Sequence, residues 1–70
     1  MAYYNPELIS VMRAALDGIM MRVPADQATP AIKAQLAEII LKAASQGVTN
    51  YDGLISVAAS QLQTVLALVT

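Results

Sequence analysis

After Asp52 the chain carries no charged side chain, and this uncharged run extends for eighteen residues from Gly53 to Thr70. A segment of that kind has few places to go. It lacks the period-two alternation of a half-buried strand. At 100° per residue, Leu54, Ile55, Val57, Ala58, Leu62, Val65, Leu66, Leu68 and Val69 fall on a helical arc of roughly 200°. Ser56, Ser60, Gln63 and Thr64 form one narrow polar stripe. A helix packed on a single core needs an apolar arc of only a little over ~100°. The excess has to be covered, either by the rest of the chain or by another subunit.

A membrane is the other way to cover it. Eighteen residues is the length at which a bilayer-spanning helix becomes a candidate. A spanning helix would not need its polar residues gathered on one stripe, and no basic residue flanks the run to set an orientation. An interfacial helix wants Lys or Arg on its polar face, and this run has neither. A membrane role is therefore not expected.

Two more helices are written into the punctuation upstream. Asn5-Pro6-Glu7 places a capping side chain, then Pro at the first helical position, then an acid in the first turn. Thr29-Pro30 repeats the cap and the Pro. Thr49-Asn50-Tyr51-Asp52 resembles a capping box, with Asp in place of the usual Glu or Gln. Pro24 disfavours helix at Val23, and Gly47 suits the left-handed position just past a helix end. These signals predict helices near 6–22, 30–46 and 50–69, in a single domain spanning 1–70. Val48-Thr49 is too short to count as a strand.

The three faces differ. In the first helix Leu8, Ile9, Met12, Ala15, Leu16, Ile19, Met20 and Val23 share an arc of roughly 140°, an ordinary core-facing stripe. Gly18 sits in its interior, where Gly costs ~1 kcal/mol relative to Ala, so it marks a bend or a close contact. The second helix presents Ile32, Leu36, Ile39, Ile40 and Ala43, and Ala34, Ala37, Leu41 and Ala44 extend that face with mostly small side chains. Glu38 and Lys42 lie four apart in the favourable order. The third helix is the most apolar.

Chemistry is scarce. The chain has no Cys and no His, which removes disulfides, thiol chemistry, zinc sites and serine–histidine hydrolysis. The five acids, Glu7, Asp17, Asp26, Glu38 and Asp52, include no pair spaced three or four apart on a helix. Glu7 and Asp52 belong to helix starts, Asp17 pairs with Arg13, and Asp26 reads as part of a Pro-bounded turn. No phosphate-binding glycine motif is present. Four basic residues against a net charge of −1 leave no footprint for nucleic acid. A helix-turn-helix built from the second and third helices would have a recognition helix without Arg or Lys. No catalytic, cofactor-binding or metal-binding residue is nominated, no cofactor is implied, and enzymatic activity is not expected.

The fold expectation is all-α, a small three-helix bundle with short connections. A core below ~70–80 residues rarely supplies more than ~3–5 kcal/mol, so a partner surface is a natural supplement. The expected role is a self-associating interaction protein, a homodimer held largely by the third helix. Val57, Val65 and Leu68 are its candidate interface residues, joined by Met21 and Leu41, which stand off the main apolar faces. Tyr51 is expected in the core. Tyr3 and Tyr4 are expected to fold over the start of the first helix. The alternatives are an adaptor for a different protein and a carrier of a small apolar ligand. The N-terminal residues lack the pattern of an export signal, which favours the cytoplasm.

Overall fold

Thr29 and Asn50 open their helices by the chemistry expected of such residues. In a computed structural model, which describes residues 6–69, three helices form: α1 (Pro6–Met20), α2 (Pro30–Ser45) and α3 (Tyr51–Val69). The Thr29 hydroxyl accepts a hydrogen bond from the Ile32 amide at 3.3 Å, and Pro30 occupies the first helical position. At α3 the Gly53 amide donates to Asn50 Oδ1 at 2.6 Å. The first intrahelical bond runs from the Leu54 amide to the Asn50 carbonyl. Asn50 is thus the capping residue of α3, and the capping box expected to begin at Thr49 does not form. Asn is at least as good a cap as Thr. The expected Asn5 cap, and the placement of Tyr3 and Tyr4, lie outside the described residues.

The helix ends are equally local in origin. α1 stops at Met20, two residues before the expected limit. Its last turn tightens, with the Arg22 and Val23 amides donating to the carbonyls of Ile19 and Met20. Pro24 keeps Val23 out of the helical region, and the Val23 side chain turns inward and is buried. The connection then makes one short 3-10 turn, Ala25–Gln27, which holds Asp26 exposed at the surface. α2 ends in a Schellman arrangement: the Val48 amide donates to the Ala43 carbonyl at 3.0 Å and the Gly47 amide to the Ala44 carbonyl at 3.1 Å. Gly47 has φ of 101°, a conformation that a residue with a Cβ adopts only at a cost.

All three pairs of helices are in contact. Ala15, Ile19 and Val23 from the first segment meet Ile32, Leu36, Ile40, Ala43 and Ala44 of α2 and Leu54, Ala58 and Val65 of α3. No buried residue in this core is polar or charged. One serine hydroxyl on each of α2 and α3 turns back on its own helix instead, Ser45 donating to the Lys42 carbonyl and Ser60 to the Val57 carbonyl, each at 2.7 Å. The described residues contain no strand, so the three-helix bundle is the fold. Among them, no helix is long and apolar enough to cross a membrane.

Gly18 proves to be a close contact. A Cβ at that position would collide with the Tyr51 hydroxyl and lie 3.2 Å from Ile55 Cδ1. The missing side chain lets the first turn of α3 cross α1 with the tyrosine ring laid into the notch. This also corrects the expectation for Tyr51. It is 43 % exposed, because its ring lies along the surface of α1 and not beneath it.

Candidate functional site

Among the described residues no group of acids, His or Cys comes together, and the features of the surface are its uncovered apolar side chains. Among the described residues, the exposed large apolar side chains are Ile9, Met21, Leu41, Tyr51 and Leu68. Two of them belong to one feature. Ile9 and Leu41 flank a groove between α1 and α2, whose remaining lining comes from Met12, Arg13, Leu16, Ala37 and Ile40. The groove encloses about 150 Å³ and its walls are almost wholly apolar. Arg13 is the one charged residue along it. The small side chain of Ala37 leaves the groove open between bulkier neighbours on both helices.

Of the residues expected at an interface, Leu41 lies at this groove, 44 % exposed. Met21 is 87 % exposed, but it stands in the turn after α1 and is not part of the groove. Leu68 is 78 % exposed near the end of α3 and is also separate from it. Val57 is half-buried and lines a second groove, between α2 and α3. Val65 is a correction: at 5 % exposure it belongs to the core of the bundle, and a monomer has no free Val65 surface to offer. The apolar arc of α3 is consumed by its contacts with both other helices, so a residue at its centre faces inward.

Ile9 was not anticipated as a surface residue. It sits near the margin of the α1 arc, where only Met20 lies farther round. That marginal angle is the signal that could have found it. The edge of an arc is covered only if the neighbouring helix reaches that far, and along this groove α2 contributes the small Ala37 beside Ile40 and Leu41.

The second groove is larger, about 320 Å³, and has a different character. Ile39, Ala43 and Val57 form its floor, and Lys42, Gln46 and Gln61 its rim. Long polar side chains at a rim keep it hydrated and contribute little when covered. The α1–α2 groove has no such rim apart from Arg13, so removing it from water is the more favourable step. Among the described residues no group of acids, His or Cys could hold a metal ion.

Comparison of the chain with protein-family models, with curated proteins and with solved structures returns no match.

Proposed function

We propose that this chain is a small, non-catalytic helical interaction protein whose activity is self-association through the α1–α2 face. The observation that carries the reading is the pair Ile9 and Leu41, two half-exposed aliphatic side chains placed on either side of one apolar groove. Single exposed apolar residues are common on soluble proteins and mean little. A flanked, apolar-walled groove is a contiguous patch of the kind that marks an interaction site. Each buried methylene contributes ~0.8 kcal/mol, and a pair of copies would cover four such side chains at once. That contribution is large beside the ~3–5 kcal/mol that a core of this size supplies. A cytoplasmic site of action is part of the same proposal.

This moves the interface from α3, where the apolar excess lies in the sequence, to α1 and α2. The apolar-ligand reading has less support. The apolar groove of about 150 Å³ falls below the ~300–1,000 Å³ typical of small-molecule pockets, and the larger one, about 320 Å³, is lined in half by Lys42, Gln46 and Gln61. An adaptor for a different protein would use the same face, and the experiment separates the two. Analytical ultracentrifugation across a dilution series should show a dimer that dissociates with falling concentration, and Leu41→Glu should be monomeric with unchanged helicity. A wild-type chain that stays monomeric at high micromolar concentration overturns self-association.

A further inference from the structure

We draw no further inference here: the strongest candidate, the apolar groove between α1 and α2 flanked by Ile9 and Leu41, carries nothing beyond the proposal above, because nothing in the structure shows what covers it.

Discussion

α3 is far more apolar in sequence than α1 or α2, yet it is α1 and α2 that leave aliphatic side chains together at the surface. α3 touches both other helices. Leu54, Ala58 and Val65 are buried, and Ile55, Val57, Leu62 and Leu66 are half-buried against the same core. One bulky side chain of its described part, Leu68, is largely exposed apart from the ring of Tyr51 at its start. α1 and α2 have narrower faces, but each spends its margin on the other, and the meeting of Ile9 with Ala37 and Leu41 leaves a strip uncovered. Arc width measures how much of a helix must be covered. It does not say which neighbour will cover it.

The sharpest way to break this comparison is a pair of substitutions on α3. Val65→Glu places an unpaired charge in the core, which costs several kcal/mol, comparable with the whole ~3–5 kcal/mol available to a chain of this size. It should abolish cooperative unfolding and most of the helical circular dichroism. Leu68→Glu should cost under ~1 kcal/mol, mainly because an acid near a helix C-terminus opposes the dipole. Equal effects at the two sites would show that α3 is covered by something other than α1 and α2.

Next in size is the loss of association. Ile9→Glu and Leu41→Glu lie on opposite sides of the groove, so under the proposed self-association each should give a monomer while changing monomer helicity little. Urea unfolding at a concentration below the dissociation midpoint should give wild-type and variant monomers similar stability. A large loss of stability in the isolated monomer would place these residues in the core, where Val65 is.

What the sequence made legible follows the range of the interactions. Thr29 with Pro30, Gly47, and Pro24 act within one helical turn, and each produces the start or stop that its own chemistry requires. The three-helix count rests on such local signals together with the helical periodicity between them. Asn50 capping α3 in place of Thr49 is a one-residue matter decided between two competent caps. Properties shared between helices were not legible. Tyr51 lies on the apolar side of α3 by angle, but its exposure depends on a notch at Gly18, which belongs to another helix. The groove is a property of the pair α1 and α2, and neither amphipathic pattern contains it. Val65 fails as an interface residue for the same reason: its angle is on the apolar arc, and the arc alone does not separate core from contact.

Smaller effects test the local devices. Asn50→Ala removes a 2.6 Å bond to the Gly53 amide and should lower the unfolding free energy by ~1 kcal/mol. Thr29→Ala removes a longer one, 3.3 Å, and should cost less. Chemical denaturation of the two variants side by side checks the order.

Gly18→Ala should have the smallest net effect, because two terms oppose each other. Ala gains ~1 kcal/mol over Gly in a helix interior. Its Cβ also drives into the Tyr51 hydroxyl and crowds Ile55 Cδ1 at 3.2 Å. The hydroxyl is the far end of a flexible, half-exposed ring, so the ring can swing outward, and what is lost is its packing in the notch. The stability change should therefore lie within ~1 kcal/mol of zero, although each term alone is larger than the difference. A double-mutant cycle separates them. In a Tyr51→Ala background the notch is empty, and Gly18→Ala should stabilise by nearly the full ~1 kcal/mol of helix propensity. If Gly18→Ala is equally weak in both backgrounds, Tyr51 is not what the glycine accommodates. The contact with Ile55 would then be the reason that α3 and α1 cross so closely at this point.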